Sequence, residues 1–475
     1  MSLRFISKEG ARLIHENSLR ILGEVGIKVN HRKMRETLAD CGAKVDHKME
    51  IVKFPPDLIK DSLEKVPREV VYGARNPKND LVVKEGGQVY VRNIGGCEGY
   101  VDLKSGKWRK IKAMDLKETI ILVDALENIH YCAGISPDDI PHRTRDVYEI
   151  ELMLENTDKH AHVQPYSKEN VEYIIKLLLT FVNKEELKKR PLVSFLNSAL
   201  SPLRYQESEI DILLAAGKYG IPVELNTMPI AGATGPVTIG GNVLLANAEL
   251  LAGIAMTQTV NPGAPLMYSP RCMNMDMATG TALSSSIESA VQASIQVQVA
   301  KDQYGILTNM FGMGADSLVP DQQSAIERML NTVLPYLAGA NIVGGAGHLE
   351  HYYTFSPVQL IIDNETYGMI FKNLSGLYPI DESRLGFDAI KRVGIGGNFL
   401  TDEHTLKYFR SEYYVPQLFE RRSRAVWQEE GAKDINERAK EKALKILKEH
   451  RPNRPENAMI KELRSILAEA EAKIK

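Results

Sequence analysis

The sequence predicts an α/β protein built on a TIM-type (β/α)8 barrel, with an N-terminal α/β region and a C-terminal helical extension. Two observations support this fold. Eight short apolar segments recur after residue 128, and helical patterns separate most of them. Several of these segments end in a polar, aromatic or glycine-rich tip. Because parallel strands place their carboxyl ends at one edge of a sheet, we expect a functional site at that edge.

The eight predicted strands are Ile129–Ile135, Ala161–Pro165, Leu192–Asn197, Pro222–Thr227, Pro265–Ser269, Ile306–Phe311, Asn341–Gly345 and Val358–Ile362. The last segment also fits the start of a helix. Helical patterns between the strands include Asn170–Phe181, Glu207–Tyr219, Leu244–Val260, Ser284–Tyr304 and Asp321–Leu337. We therefore predict a barrel over residues 126–385.

The two flanking regions differ from the barrel in their patterns. Residues 1–125 combine helical patterns before residue 42 with short strands such as Lys44–Asp46, Val70–Tyr72 and Leu81–Val83. Residues 386–475 are charged, and the stretches 429–449 and 456–475 are rich in Glu, Lys, Ala and Leu. These stretches predict helices that are either solvated or a docking surface for a partner.

Composition excludes several classes of function. The net charge is −2, which favours neither nucleic acid nor an anionic membrane as a partner. Residues 1–10 hold no apolar segment, and the longest apolar candidate, Val237–Val260, is interrupted by polar residues and glycines. The four cysteines form no CxxC pair, so we expect no thiolate zinc site. We expect a cytoplasmic protein with reduced thiols.

Several local patterns, taken in order, resemble the trimethylamine methyltransferase family of corrinoid-dependent amine methyltransferases. The patterns are Ile14–Leu19, Ile21–Ile27, Gly42–Asp46, Gly73–Pro77, Asp102 with Gly106, Ala113–Leu116, Gly280, Ser285–Glu288, Tyr304–Ile306, and Asp321–Ser324 with Glu327. The resemblance covers about residues 7 to 470. It implies an enzyme that transfers a methyl group to the Co(I) corrinoid, a cobalamin-type cofactor, of a separate carrier protein.

One departure from the family pattern narrows the range of possible methyl donors. Members that use trimethylamine carry pyrrolysine, which by motif should fall near Gln322–Ser324, and this chain has ordinary residues there. The resemblance is therefore to the non-pyrrolysine branch, which is associated with quaternary amines such as glycine betaine. A quaternary ammonium already holds a neutral amine as leaving group, so its attack needs no general acid and no zinc.

Aromatic side chains are the candidate binders of the trimethylammonium group. Such a cation cannot donate an N–H hydrogen bond, and aromatic faces hold it by cation–π attraction. The candidates near predicted strand ends are Phe195, Tyr268, Phe311, Tyr352, Tyr353 and Phe355. Each of them also fits an ordinary core or wall position, and the sequence leaves both interpretations open.

Polar candidates follow the same strand ends. Arg271 can clamp a betaine carboxylate or pair with an acid at the rim. His348, with His351 as a second candidate, follows a glycine-rich stretch and can bind the carboxylate or the corrinoid edge, or can serve as a helix cap or a satisfied polar contact. Asn197 and Asn226 end two strands and can orient substrate or satisfy loop backbone.

Glycine-rich loops are the predicted contacts of the corrinoid. They contribute Gly232, Thr234, Gly235 and Gly345. The alternative is that these residues only form tight turns, since neither a P-loop nor a dinucleotide-binding pattern is present in the sequence.

The leading hypothesis is therefore a quaternary-amine methyltransferase that works with a corrinoid protein, with a homo-oligomer as the general expectation. One alternative keeps the corrinoid partner and changes the donor to a tertiary amine or another methylated compound. The other alternative is a barrel that binds betaines without turnover.

Overall fold

The computed structural model describes residues 3–376 and 378–474, and it begins with a mixed α/β region. The helices of this region are α1 Lys8–Arg20, α2 Arg32–Asp40, α3 Pro56–Lys65 and α4 Ala113–Ala125. Its strands are β1 Ile27–Val29, β2 Lys44–Asp46, β3 Ile51–Lys53, β4 Glu69–Tyr72, β5 Leu81–Lys84, β6 Gly99–Val101 and β7 Trp108–Lys110. The Ser7 side chain accepts a hydrogen bond from the Gly10 amide and so caps α1.

Strands and helices alternate through the middle of the chain. The strands are β8 Tyr131–Ala133, β9 His160–Val163, β10 Val193–Ala199, β11 Arg204–Tyr205, β12 Val223–Thr227, β13 Ile230–Ala231, β14 Leu266–Pro270, β15 Met273–Asp276, β16 Thr281–Leu283, β17 Asn309–Phe311, β18 Ile342–Gly344, β19 His348–Leu349 and β20 Thr354–Phe355. The helices are α5 Arg145–Asn156, α6 Lys168–Leu179, α7 Lys184–Lys189, α8 Glu207–Tyr219, α9 Ile239–Val260, α10 Ile287–Val299, α11 Gln322–Ala338 and α12 Pro357–Leu374. The predicted α/β class is confirmed.

Seven of the eight predicted strands overlap a strand of the structure, and the eighth prediction is wrong. Residues Val358–Ile362 lie within α12, not in a sheet. The Ser356 side chain accepts a hydrogen bond from the Gln359 amide, and Pro357 occupies the first helical position. Both are helix-start features, and the apolar run after them is a buried helix face.

Two parallel sheets carry the strand ends of the predicted site. Five strands pair in the order β14-β12-β10-β9-β8, and β17 pairs with β18. Isolated parallel pairs join the two sheets at both sides. Tyr268 pairs with Thr308 on one side, and on the other the segment 90–93 pairs with Ile342 and with Tyr131. The continuous ladders themselves do not close.

The hairpin of β4 and β5 packs across the N-terminal ends of these strands. The Tyr72 ring stacks on His160, the first residue of β9, with ring centres 4.5 Å apart. Around it lies an apolar cluster that is separate from the main core and includes Val70, Tyr72, Leu81, Val83, Tyr131, Met267, Leu307 and Ile342. The interior between the strands is therefore filled at this end.

Helix α9 is long and apolar enough to span a membrane by length and composition, but 78% of its apolar window is buried inside the protein. It packs against β12 and β14 on one side and against α1 and α3 on the other. Burial on both sides explains why it is apolar all round.

The C-terminal extension is helical, as predicted. Its helices are α13 Glu382–Leu385, α14 Phe387–Val393, α15 Glu403–Glu412, α16 Arg424–Glu429, α17 Ile435–Glu449 and α18 Asn457–Lys473. Helix α17 packs against α4 and α12, and α18 packs against α5 and α6. The two charged stretches are therefore docked on the body of the protein. Lys475, the end of the predicted stretch 456–475, lies outside the described residues.

Candidate functional site

Strand β12 has an outer face that packs against helix α9 and an inner face on the opposite side. Leu225 lies against Gly253 of α9, and Thr227 donates a hydrogen bond to Glu249 of the same helix. Because side chains alternate along a strand, Glu224 and Asn226 point the opposite way, away from α9. Glu224 is the one charged residue of β12, and it forms the centre of the site.

Four side chains from four different segments meet the Glu224 carboxylate. Its Oε2 atom lies 3.4 Å from a terminal nitrogen of Arg92, 3.4 Å from one of Arg271 and 3.5 Å from Nε2 of His162. The hydroxyl of Tyr131 donates to Oε1 at 3.0 Å. All five residues are buried, so the cluster is screened from water.

The cluster holds more positive than negative charge. Arg92 and Arg271 are both guanidinium ions beside a single carboxylate. Burial acts to lower the pKa of Arg92, but the charge of Glu224 raises it above its ordinary value. Burial and the charge of Arg92 lower the pKa of Arg271 to about 10, which keeps it charged at neutral pH. Burial also lowers the pKa of His162 far below its ordinary value, so His162 is neutral. One positive charge therefore remains for a ligand to balance.

An aromatic group adjoins Arg271. The ring of Phe311 lies 5.1 Å below the Arg271 guanidinium carbon and meets Tyr352 edge to face, with ring centres 4.3 Å apart. The Tyr352 ring in turn stacks on His348 at 4.8 Å. Burial lowers the pKa of His348 far below its ordinary value, so this ring is uncharged at neutral pH. Neutral aromatic faces and a guanidinium thus lie side by side.

Several buried polar atoms of this region have no hydrogen-bond partner within the described ranges. They are Nε of Arg92 and of Arg271, Oδ1 of Asn226 and of Asn309, Oγ of Ser269 and Nδ1 of His348. Buried polar groups in proteins are almost always paired with protein, water or a ligand. All of these residues lie in, or next to, the parallel segments that surround Glu224, which marks this space as the candidate binding site.

The structure brings four of the predicted substrate residues to this region. Arg271 and Phe311 contact each other, His348 lies 5.5 Å from Phe311 ring to ring, and Asn226 is two residues beyond Glu224 on the same face of β12. Tyr352, a further aromatic candidate, joins them.

The other four predicted substrate residues lie elsewhere. Phe195 is fully buried in the main core. The Asn197 side chain donates to the Glu209 carbonyl of α8, and the Tyr268 hydroxyl donates to Asn247 of α9. Tyr353 is 40% exposed and stacks on Trp108. Phe195, Asn197 and Tyr268 occupy the strand positions that face the helices, one residue out of phase with the inner face.

The predicted corrinoid-contacting residues are split between two environments. Gly232, Thr234 and Gly235 lie in the partly exposed loop between β13 and α9, where the Thr234 hydroxyl accepts a hydrogen bond from the Ile230 amide. Gly345 is buried, and a Cβ atom there would lie 2.9 Å from the Phe311 ring. Gly345 has φ +110°, so both its conformation and its packing require glycine.

Sequence reasoning missed the centre of the site, namely Arg92, Tyr131, His162 and Glu224. One signal was available in the sequence: a charged residue at position 224 between the apolar residues Val223 and Leu225. Histidines 160 and 162 also alternate within β9, and both lie 2.9 Å from the Ser194 hydroxyl. Charged or polar residues spaced by two in core strands indicate an inner face.

Two further observations concern the position where pyrrolysine was expected and the groups that could hold a metal ion. Residues Gln322–Ser324 form the first turn of α11, where the Asp321 side chain caps the Ser324 amide. Across residues 3–376 and 378–474, no group of three or more His, Cys, Asp or Glu side chains is arranged to hold a metal ion.

Comparison with known proteins decides the family. The family model described as "Trimethylamine methyltransferase (MTTB)" matches residues 1–475. The chain belongs to the trimethylamine methyltransferase family. It is 33% identical over 428 residues to the trimethylamine methyltransferase MttB of Desulfitobacterium hafniense (strain DSM 10664 / DCB-2), a match that covers 89% of this chain and 85% of that protein. This family member is therefore a methyltransferase.

Two further similarities concern the branch of the family and the fold of the protein. The glycine betaine methyltransferase of Desulfitobacterium hafniense (strain Y51) is 32% identical over 378 residues, covering 79% of this chain and 78% of that protein. The crystal structure of the Methanosarcina barkeri monomethylamine methyltransferase (MtmB) superposes with a TM-score of 0.57 at 11% identity, covering 94% and 88% of the two chains. The family member thus shares a fold with MtmB.

Proposed function

We propose that this methyltransferase moves a methyl group from a quaternary amine, glycine betaine or a related betaine, to the Co(I) corrinoid of a separate carrier protein. The observation that carries the proposal is the pairing of a surplus guanidinium with aromatic rings in one buried space. A betaine has the complementary pair of groups, a carboxylate and a trimethylammonium. The 32% identity to a glycine betaine methyltransferase supports the same donor class.

The carboxylate end fits Arg271. Its Nε atom has no hydrogen-bond partner among the described residues, and one of its terminal nitrogens donates a hydrogen bond to Glu224. A carboxylate here would add the second negative charge that balances Arg92 and Arg271. Guanidinium–carboxylate pairs are among the strongest hydrogen-bonded pairs in proteins, and more so where water is excluded.

The ammonium end fits the rings of Phe311 and Tyr352. They meet at 4.3 Å and are buried or nearly so, and a cation against their faces is stabilised by about 0.5–2 kcal/mol per ring. The neutral state of His348 suits this role, since a charged imidazolium beside the ammonium would repel it. The reduced corrinoid supplies the nucleophile, and the residues of this chain orient the amine and exclude water.

We infer that the eight parallel segments 90–93, β8, β9, β10, β12, β14, β17 and β18 form a TIM-type barrel around this site. The isolated pairs between Tyr268 and Thr308 and around Arg92 support it, because they connect the two sheets on both sides. The first strand of this barrel is segment 90–93, which lies within residues 1–125, the region predicted to precede the barrel. The division at residues 125 and 385 stays a prediction.

The carrier protein must reach the C-terminal rim of the strands. Exposed apolar side chains are present on loops of this rim, and they include Val237 (69% exposed), Met277 (73%), Leu318 (63%) and Val319 (55%). We propose that they dock the corrinoid protein, with the loop of Gly232, Thr234 and Gly235 close to the cofactor. Because corrinoid proteins of this chemistry work in reducing conditions, we place the enzyme in the cytoplasm, consistent with its free cysteines.

We also propose that a second copy of the chain covers the apolar surface of residues 378–415. The exposed large side chains there are Tyr378, Ile380, Leu385, Phe387, Ile390, Ile395, Phe399, Leu400, Leu406, Phe409, Tyr413 and Val415. They supply on the order of 1,000 Å² of apolar surface, against about 800 Å² per partner in a standard interface. Tyr414 next to this surface lies against Asn128 and Gly368, near the N-terminal end of β8. A corrinoid protein working at the opposite end cannot cover it.

The proposed function is tested with purified protein, a reduced corrinoid carrier protein and glycine betaine. We expect dimethylglycine and methylated corrinoid in equal amounts. Carnitine, proline betaine and trimethylamine are tested in parallel as alternative methyl donors. Transfer from trimethylamine alone would show that the methyl donor is a tertiary amine. Tight betaine binding without transfer to any reduced corrinoid would show that the protein binds betaines without turnover. Failure with every quaternary amine would contradict the proposal.

A further inference from the structure

The loop that presents Tyr352 has an unusual backbone. Glu350, His351 and Tyr352 have φ values of +54°, +52° and +76°, so three consecutive non-glycine residues are left-handed. Left-handed backbone is disfavoured for L-residues with a Cβ, and single residues adopt it far more often than runs do. Such strain persists only where the surroundings hold it, and it concentrates at functional sites.

Contacts from both sides hold this left-handed turn. The turn connects β19 and β20, which pair antiparallel. The Glu350 amide donates to the Ser317 carbonyl at 3.0 Å, and the Tyr352 amide donates to Nε2 of His348. His351 Nδ1 lies 2.9 Å from Oδ1 of Asp316.

Asp316 connects the turn to a second loop of the site. Its carboxylate accepts hydrogen bonds from the amides of Ser284 and Ser285 and from the Ser284 hydroxyl, at 2.8 to 3.0 Å. These serines lie just before Ser286, which caps α10. The Asp316 side chain is 5% exposed and that of His351 is 27% exposed, so the ion pair is shielded from most of the solvent.

We propose that Asp316 and His351 are positioning residues, which hold the left-handed turn and thereby keep the Tyr352 ring against Phe311. This inference rests on the proposed function in one respect, namely that Tyr352 and Phe311 receive the ammonium group. Without the pair, the strained backbone relaxes and Tyr352 leaves the wall of the site. Neither residue touches the substrate in this arrangement, so their effect on binding is indirect.

The pair depends on the charge of His351. The hydrogen bond to Asp316 raises the pKa of His351 above its ordinary value, while burial acts against it. The other charged or titratable groups near His351 are Glu327 of α11, Glu350 of the turn and the neutral His348. A histidine whose pKa is raised by folding contributes its stabilisation fully below pH about 6.5 and loses it as the pH rises through the higher value.

Trp108 reports on the turn without any ligand. It stacks on Tyr353 at 6.4 Å, and its indole N–H donates to the Thr354 hydroxyl at 2.9 Å. The chain has two tryptophans, Trp108 and Trp427, so the experiment uses a Trp427→Phe background. We expect the Trp108 emission to change as the pH is raised from 6 to 9, with a midpoint above 6.5.

Two further variants in this background decide the result. His351→Asn keeps a residue that tolerates left-handed backbone and can still bond Asp316, but it does not titrate. Its emission should be independent of pH. His47→Asn is the matched control, because His47 is exposed in the turn between β2 and β3, and it should keep the transition. No transition in the background protein, or the same transition in His351→Asn, would overturn the proposal.

Binding gives the second measurement. At pH 6 the affinity for tetramethylammonium should fall by about two- to tenfold in Asp316→Asn, which is the size of one cation–π contact, and by less in His351→Asn, where an uncharged hydrogen bond to Asp316 replaces the ion pair. Unchanged affinity in both variants would also overturn the positioning role. A wild-type protein that binds no ammonium ion would instead contradict the proposed function, because the Trp108 titration needs no ligand.

Discussion

The guanidinium carbon of Arg271 lies 5.1 Å from the centre of the Phe311 ring. The same side chain reaches Glu224, so Arg271 joins the charged cluster to the aromatic wall. A ligand with a carboxylate and a quaternary ammonium can contact both ends of this arrangement. Glycine betaine has both groups and tetramethylammonium has only the ammonium, so binding of these two ligands should distinguish the two ends.

Replacing Arg271 by Lys should weaken binding of glycine betaine by about tenfold to a hundredfold, because lysine keeps the charge but loses the planar fork. Tetramethylammonium has no carboxylate, and its affinity should change much less. Isothermal titration calorimetry with both ligands makes the comparison. Equal losses for the two ligands would exclude a role for Arg271 with the carboxylate.

Replacing Phe311 by Leu should weaken binding of both ligands by about two- to twentyfold, since the cation–π contact is lost and apolar volume is largely kept. The matched control is Tyr268→Phe. The Tyr268 hydroxyl bonds Asn247 on the outer face, so this variant should lose about 1 kcal/mol of stability and bind normally. Normal binding in Phe311→Leu would remove Phe311 from the ammonium site.

Glu224→Gln should destabilise the protein by about 3 kcal/mol or more, because it leaves two buried guanidinium ions without their carboxylate. Glu36→Gln removes an exposed carboxylate that pairs with Arg32 four residues away, and it should cost about 0.5 kcal/mol or less. Urea unfolding of the two variants measures the difference. Similar stabilities would show that Glu224 is not needed to neutralise the cluster.

The double variant Phe387→Glu with Ile390→Glu should dissociate the proposed homo-oligomer. The two residues are three apart on α14 and are 68% and 57% exposed, so the charges should not disturb the folded chain but would be buried in an interface. Light scattering gives the mass in solution. Met114→Glu, 61% exposed at the start of α4, is the control. A monomeric wild-type protein would contradict the interface.

Most strands were predictable because apolar runs bounded by turn residues are local signals. The error at Val358–Ile362 arose because a short apolar run fits a buried helix as well as a strand. The helix signals Ser356 and Pro357 directly precede it. The isolated pairs of residues 90–93 with Ile342 and Tyr131 are long-range contacts, and no local pattern in the sequence contains them.

The predicted site residues only partly coincide with the residues of the candidate site around Glu224. Arg271 lies three positions after Tyr268, and of the two only Arg271 faces the interior. Strand ends can be located from the sequence, but the face that each residue occupies depends on register, and a shift of one position reverses it. The partners of Glu224 come from positions 92, 131, 162 and 271, which are brought together only by folding.

The hairpin that packs across the N-terminal ends of the strands has a kinetic consequence. Since Tyr72 and its apolar neighbours fill that end, the amine and the carrier protein of the proposed reaction would both approach through the opposite rim. A docked carrier then blocks the route of the small molecule. Turnover should therefore follow a compulsory order, in which the donor enters first and the demethylated amine departs only after the carrier has dissociated.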